Sequence, residues 1–202
     1  LMKAIIVGAG IGGLTAALQL HRRGIEVAVY EQVAEIKPLG VGINLLPNGA
    51  GALIDLGLGD ALAATGIETR ELQYRTRYGQ LLSTDTCGIA SRAPFPQYSI
   101  HRGELQFLLL NALQREAGNV VKANCRLERV EQSAYGVTGW FKFGHDSFIP
   151  VMAQGDMLIG ADGIHSSVRA QLHPEQPPVH YEGVMMWRGA HEQAPFLDGR
   201  TM

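Results

Sequence analysis

Gly8, Gly10 and Gly13 stand at G-x-G-x-x-G spacing, and Glu31 follows Gly13 by 18 positions. Each residue type in that pattern has a task. A glycine at 8 permits a tight turn, one at 10 lets the backbone approach a pyrophosphate, and one at 13 lets a helix pack close to a strand. Gly12 belongs to the same loop, and Gln32 follows the acidic residue. The N–H groups that open a helix have no partner inside it, and the helix dipole adds partial positive charge there, so both attract phosphate. The Glu31 carboxylate accepts hydrogen bonds from an adenosine ribose and repels a 2′-phosphate. The constellation describes a site for FAD or NAD.

Such a loop needs a strand before it, and a helix and a second strand after it. The apolar run 4–7 precedes the loop, and Leu14, Ala17, Leu18 and Leu20 follow at helical spacing. Gly24 ends that helix, and Val27 and Val29 alternate into a strand that reaches Glu31. A membrane segment is the competing reading, because residues 4–20 are uncharged, Lys3 precedes them, and Gly8 and Gly12 form a G-x-x-x-G. Four glycines in that stretch lower both its hydrophobicity and its helix propensity, and a spanning helix wants about 20 strongly apolar residues. The βαβ reading therefore prevails, with no membrane partner.

Bulk composition agrees. With 46% hydrophobic and 18% charged residues over 202 positions, the chain has ordinary globular composition and enough length for a substantial core. A net charge of −2 and the lack of a basic run exclude a nucleic-acid footprint. Cys87 and Cys125 form no C-x-x-C, and the histidines show no metal spacing, so neither a disulfide framework nor a metal site is expected. Two isolated thiols fit a reducing cytoplasm.

Beyond Glu31, the segment from Pro38 to Gly49 (PLGVGINLLPNG) is too apolar for a solvent loop and too glycine-rich for a helix. It suits a chain pressed against a flat ligand, or a buried connection. Asn48 is expected to cap a helix ending at Gly57, and Asp60 a short one ending at Gly66. Residues 69–84 read as a strand pair around Gly79, 85–99 as a crossing loop with Pro94 and Pro96, and 103–117 as a helix. That helix has an apolar stripe of Leu105, Leu108, Leu109, Ala112 and Leu113. Strands follow at 120–123 and 126–132, a hairpin at 136–152, a buried strand at 157–159, a helix at 166–172, and a last strand at 180–189. The fold class is α/β, with a Rossmann-like βαβ start and mixed sheet interrupted by strands of a second, incomplete α+β domain.

Two further groups invite chemistry. Arg102 opens the 103–117 helix, where a cation is slightly unfavourable unless it and the helix N-terminus face a common anion. Gln106 lies one turn later on the same face. A surface arginine paired with Glu104 explains Arg102 equally well. In Gly160-Ala-Asp-Gly163, Asp162 and Gly163 either turn the chain and cap the next helix, or bring backbone close to a bound cofactor. Spacing does not separate these readings.

Four segments in order resemble the single-component aromatic hydroxylases, the FAD-dependent monooxygenases typified by para-hydroxybenzoate hydroxylase. They are the glycine loop with Glu31, Gly40-Val-Gly-Ile-Asn44, Ser99-Ile-His-Arg-Gly-Glu-Leu-Gln106, and Gly160-Ala-Asp-Gly-Ile-His-Ser-Ser-Val-Arg169. Residues 96–105, His173-Pro-Glu-Gln176, Met186-Trp-Arg-Gly189 and Phe196-Leu-Asp-Gly199 further resemble the branch acting on phenazine carboxylates. The resemblance implies that Gly8, Gly10, Gly12, Gly13, Glu31 and Gln32 hold the ADP half of FAD. It implies that Gly40, Val41, Gly42 and Ile43 run beside the flavin ring, that Arg102 and Gln106 reach the pyrophosphate and ribityl region, and that Leu127 lies near adenine. Asp162 and Gly163 would serve both FAD and the nicotinamide cofactor, while Trp187 and Arg188 would lie near the substrate.

By the same resemblance, residues 1–68 and 100–172 form the FAD-binding domain, and 69–99 with 173–202 begin the substrate domain. The family's later Gly-Asp motif and its proline-containing loop do not occur in these residues, which implies the N-terminal part of a longer enzyme. In that family NADH or NADPH reduces FAD, O2 adds at C4a, and the hydroperoxide oxygenates the substrate, so the resemblance implies hydroxylation of an electron-rich aromatic or N-heteroaromatic such as a phenazine. The partners are thus a small aromatic and O2, the oligomeric state stays open, and no side chain is assigned a catalytic role. Rival readings are another FAD enzyme of the same fold (a halogenase or a reductase), an NAD-dependent dehydrogenase, and a non-catalytic FAD- or NAD-binding module. Trp140 and Trp187 do not form the halogenase motif W-x-W-x-I-P.

Overall fold

The computed structural model of the chain describes residues 1–144 and 150–202. In chain order the elements are β1 (Lys3–Val7), α1 (Ile11–His21), β2 (Glu26–Tyr30), β3 (Gly42–Leu45), α2 (Pro47–Asp55), α3 (Gly59–Thr65), β4 (Ile67–Thr69), β5 (Glu71–Arg75) and β6 (Leu81–Thr86). There follow β7 (Gln97–His101), α4 (Arg102–Ala117), β8 (Val121–Lys122), β9 (Cys125–Ser133), β10 (Gly136–Phe143), β11 (Pro150–Gly155), β12 (Met157–Gly160) and α5 (Ser167–Leu172). The chain forms two compact units, 1–37 with 106–185 and 38–105 with 186–202.

The first unit is built on a four-stranded sheet of order β12-β1-β2-β8. β1 pairs in parallel with both β12 and β2, so its hydrogen-bonding groups are satisfied on both edges. Residues 4–6 are completely buried, the all-apolar pattern that a central parallel strand requires. Parallel neighbours demand a crossover, and α1 supplies it with Leu14, Ala17 and Leu18 buried. A three-stranded antiparallel sheet, β11-β10-β9, completes the unit. Tyr30 at the end of β2 stacks on Phe141 of β10, with ring centroids 4.1 Å apart, and fixes the two sheets in one core with Leu127 and Val137. The hairpin expected at 136–152 is present in register from Val137–Gly155 to Lys142–Pro150; its connection lies outside the described residues.

The second unit holds an antiparallel sheet of order β3-β7-β4, and a β5–β6 hairpin that turns at Gly79 with φ of +83°. Its helical layer buries Leu53, Leu56, Leu58 and Leu62. The 85–99 segment is not wholly a loop. The prolines at 94 and 96 end just before β7, which becomes the central strand because Tyr98 and Ile100 bury one face of the ladder. Residues 180–189 are not a strand either: they are exposed and join no strand ladder among the described residues, Trp187 being 90% exposed. A strand is held by main-chain bonds to a neighbouring strand, which this segment lacks among the described residues. Asn48 and Asp60 are not the caps expected of them: α2 starts at Pro47, whose fixed φ and missing N–H suit the first helical position, with Leu46 at its N-cap, and α3 has Leu58 at its N-cap and Asp60 in its first turn. Among the described residues, no helix is long and apolar enough to cross a membrane.

Candidate cofactor site

In the first unit, the turn from β1 into α1 shows two kinds of glycine. Gly8 has φ of +105°, and a Cβ there would lie 2.3 Å from the Ala161 carbonyl oxygen. At Gly13 a Cβ would fall 1.9 Å from the Gly8 carbonyl oxygen. These two glycines are demanded by the protein's own packing. Gly10 and Gly12 are not, since a Cβ at either would have no atom within 4 Å. Gly10 sits at the N-cap of α1 with φ of −72°, which any residue can adopt. No side chain caps α1, and no acidic residue stands in its first turn. Bare N–H groups, a dipole end and space that side chains would fill are the conditions under which a diphosphate can lie against backbone. The residues present therefore fit the pyrophosphate of a dinucleotide.

The loop is held from two sides through Ala9. Glu31, just past β2, accepts the Ala9 N–H on Oε2 at 2.7 Å and the Val33 N–H on Oε1 at 3.0 Å. Gln106 donates from Nε2 to the Ala9 carbonyl at 2.8 Å. A carboxylate has room for about four acceptor bonds, so Glu31 can still receive ribose hydroxyls. The brace from Gln106 is a finding that the motif did not announce. Gln32 is exposed and, with Asn124, Arg126 and Lys142, lines a cavity of about 250 Å³ beside the end of β2. Leu127 is a core residue, 5% exposed, so it could offer an adenine little surface.

The second turn, between β12 and α5, touches the first. Ala161 N–H donates to the Val7 carbonyl at 2.7 Å, and the Ala161 carbonyl is the atom that forbids a side chain at Gly8. Asp162 does capping work: Oδ1 accepts the Ser166 hydroxyl at 2.5 Å, and Oδ2 accepts the N–H groups of Ser167 at 2.6 Å and Val168 at 3.2 Å. Ser166 in turn accepts from Arg169 N–H. Gly163 has φ of +81° and open space around its Cα. The structural reading of Asp162 is therefore realised, and the Gly163 carbonyl accepts the Ser166 N–H at 3.2 Å, leaving open space only where a side chain would stand.

In the second unit, Gly40 to Ile43 run against the β7–α4 junction. Gly40 has φ of +129°, and a Cβ there would come within 3.3 Å of Arg102 Cβ. His101 donates from Nε2 to the Gly40 carbonyl at 3.0 Å, and Arg102 N–H donates to the Val41 carbonyl at 3.1 Å. Gly42 is paired with His101 and Ile43 with Ile100 in the β3–β7 ladder. The Arg102 side chain is exposed and, among the described residues, bonds neither Glu104 nor any other group. The surface pairing with Glu104 is thus not formed, and the guanidinium is available. Sequence reasoning passed over His101; the available signal was period 2 along β7, which aligns Gln97, Ser99 and His101 on one face.

Other chemistries find no support among the described residues. No cluster of three potential metal ligands occurs. Burial pushes the Cys125 thiol up, away from a reactive thiolate.

With that geometry in hand, the chain can be set beside known proteins. A family profile described as "FAD binding domain" matches residues 2–194. Phenazine 1,6-dicarboxylic acid hydroxylase PhzS of Lysobacter antibioticus is 48% identical over 200 residues, 98% of this chain and 49% of that protein. A FAD-dependent urate hydroxylase of Klebsiella pneumoniae is 38% identical over 193 residues, 95% of this chain and 48% of that protein. Klebsiella pneumoniae HpxO complexed with FAD and uric acid superposes with a TM-score of 0.70 at 37% identity, over 84% of this chain and 41% of that one. The chain spans about half the length of the curated relatives it matches.

Proposed function

The chain belongs to the FAD-binding-domain family, and from that membership we propose that the whole protein is an NAD(P)H-dependent flavoprotein monooxygenase that hydroxylates an electron-rich aromatic or N-heteroaromatic substrate. One observation carries the cofactor reading: Gly10 and Gly12 leave backbone open at an uncapped helix N-terminus, while Glu31 stands fixed beside the same loop. Bound FAD supplies the redox chemistry that joins NADH or NADPH, O2 and substrate. In the first unit, Gly8, Gly10, Gly12 and Gly13 present the main chain to the pyrophosphate. Glu31 receives the ribose, Gln32 and Leu127 border the adenine, Gln106 braces the loop, and Asp162 and Gly163 shape the adjoining turn. In the second unit, Gly40, Val41, Gly42 and Ile43 offer flat backbone to the flavin, and Arg102 offers a planar cation. We assign residues 1–68 and 100–172 to the FAD-binding domain, and 69–99 with 173–202 to the substrate domain, with Trp187 and Arg188 toward the substrate. Unpaired Cys87 and Cys125 suit a cytoplasmic enzyme.

A phenazine carboxylate or a related N-heteroaromatic acid is the proposed substrate class. The support is the similarity to PhzS over 98% of this chain. Product analysis on the purified whole protein, supplied with NADH or NADPH in air, tests this. The expected result is one hydroxylated aromatic formed per nicotinamide oxidised. A protein that carries FAD and oxidises NAD(P)H, yet hydroxylates neither phenazine-1,6-dicarboxylate nor other electron-rich aromatics, would overturn the oxygenase reading and leave the cofactor reading standing.

A further inference from the structure

We propose that His101 is a positioning residue that fixes the Gly40–Gly42 backbone in the conformation presented to the flavin; this rests on the cofactor reading above. Within the second unit the segment 38–42 is fastened to the β7–α4 junction by several contacts besides the Gly42–His101 ladder pairing. His101 Nε2 meets the Gly40 carbonyl at 3.0 Å, Arg102 N–H meets the Val41 carbonyl at 3.1 Å, and Gly103 lies so close to Pro38 that a Cβ would be 2.3 Å from its carbonyl carbon. The last two are main-chain contacts. Among the described residues His101 makes the one side-chain hydrogen bond to this segment, so it is the point at which substitution can loosen the segment without altering the backbone that holds it.

The ring's tautomer follows from its partner. A carbonyl oxygen only accepts, so the proton is on Nε2 and Nδ1 carries a lone pair. Nδ1 is shut off from solvent and has no hydrogen-bond partner among the described residues. Leaving a polar atom buried without a partner is unfavourable. The ring is nevertheless held there, which is understandable if the bond to Gly40 is what the position serves. Gly40 needs that restraint. Its φ of +129° is open to glycine and to few other residues, and a free glycine samples many conformations besides. A segment meant to lie flat against a cofactor binds better when it is ordered beforehand.

Three variants of the whole protein test the tie. His101→Gln keeps an N–H donor of similar reach, His101→Phe keeps the ring without the donor, and His101→Asn keeps an amide too short to reach Gly40. Hydrogen exchange is followed at residues 39–42 in flavin-free protein, together with the FAD dissociation constant and the absorption spectrum of bound flavin. His101→Phe and His101→Asn should speed exchange at 39–42 while β1 and β2 stay protected. They should raise the FAD dissociation constant by about three- to tenfold, the ratio equivalent to one net hydrogen bond, and shift the flavin bands. His101→Gln should stay within about twofold of the parent on the same scale. If His101→Phe does not fold, the Gln and Asn pair makes the same comparison. Parent-like exchange and affinity in His101→Phe and His101→Asn would overturn the proposal, as would equal losses in all three variants. A parent protein that binds no FAD would instead refute the cofactor reading, and the exchange comparison would still decide the tie.

Discussion

Glu31 and Ala9, 22 positions apart, are joined by a 2.7 Å hydrogen bond from the Ala9 main-chain N–H to the Glu31 carboxylate. The acidic residue of the motif therefore shapes the glycine loop itself, a task separate from the ribose contact proposed for it. Its second oxygen holds Val33 N–H, so both oxygens are engaged before any ligand arrives.

Substitutions at 31 should separate these tasks. Glu31→Ala removes the ribose acceptor and both loop bonds. Hydrogen bonds to a charged group are worth about 1.5–3 kcal/mol each, so FAD affinity should fall by about one to two decades. Glu31→Gln cannot rescue it, because an amide has one acceptor oxygen and turns a donor toward the other N–H. Fluorescence titration of both variants with FAD is the check; parent affinity in Glu31→Gln would mean the carboxylate charge and its second acceptor are dispensable.

The two kinds of glycine should respond in opposite ways. Gly10→Val places its side chain in open space, and the altered N-cap costs only about 1 kcal/mol, so the protein should fold but purify without flavin. Gly13→Ala drives a Cβ to 1.9 Å from the Gly8 carbonyl oxygen and should destabilise the fold itself, by about 3 kcal/mol or more. Thermal melts and flavin content of the two purified variants make the comparison. A Gly10→Val protein with full flavin would remove the pyrophosphate from that backbone.

Much of this was legible in the residues. The βαβ start could be read because loop, strand and helix periods all agree from Ala4 to Glu31. The 103–117 helix could be read because its stripe is regular, and the structure buries Leu105, Leu109, Ala112 and Leu113. β7 was hidden by Pro94 and Pro96, since the pairing that makes it central is to β3 and β4, more than 25 residues away in sequence. The strand expected at 180–189 fails for the converse reason, since among the described residues no neighbouring strand bonds its main chain. At the site, residue types announced a dinucleotide but not the braces. That Gln106 would hold Ala9, that Asp162 would spend its carboxylate on the start of α5, and that His101 would grip Gly40 depend on long-range geometry that spacing does not encode.

Arg102 offers a direct test of charge against shape. Its side chain is exposed and without a protein partner among the described residues, so substitution should leave stability nearly unchanged. If the guanidinium grips phosphate or ribityl oxygens, Arg102→Ala should weaken FAD binding by about tenfold or more, since bonds between charged groups exceed about 1.5 kcal/mol. Arg102→Lys keeps the charge but loses the fork, and should recover only part of that loss. Equal affinity in parent, Lys and Ala variants would make Arg102 a surface residue with no part in cofactor binding.

Acid should loosen the first unit at a place remote from the phosphate loop. Arg22, just after α1, grips Glu116 of α4 through two bonds, Nε to Oε2 at 2.8 Å and a terminal nitrogen to Oε1 at 2.5 Å. The hydrogen bond from Arg22 holds the Glu116 carboxyl below its ordinary value of 4.5, although partial burial opposes it. A carboxyl whose pKa is lower in the folded state than in the unfolded chain contributes stability that is present above the ordinary value. That contribution is lost as pH falls through the folded value. Glu116→Gln should therefore cost a modest amount at neutral pH, about 0.5 kcal/mol, because both side chains are partly solvated and water screens the pair. The gap between parent and variant should stay constant from about pH 7 down to about pH 5 and close as Glu116 is protonated. Urea denaturation at a series of pH values measures it. A gap that persists unchanged well below the ordinary carboxyl range would show that the ion pair adds nothing and that the Gln variant suffers from packing alone.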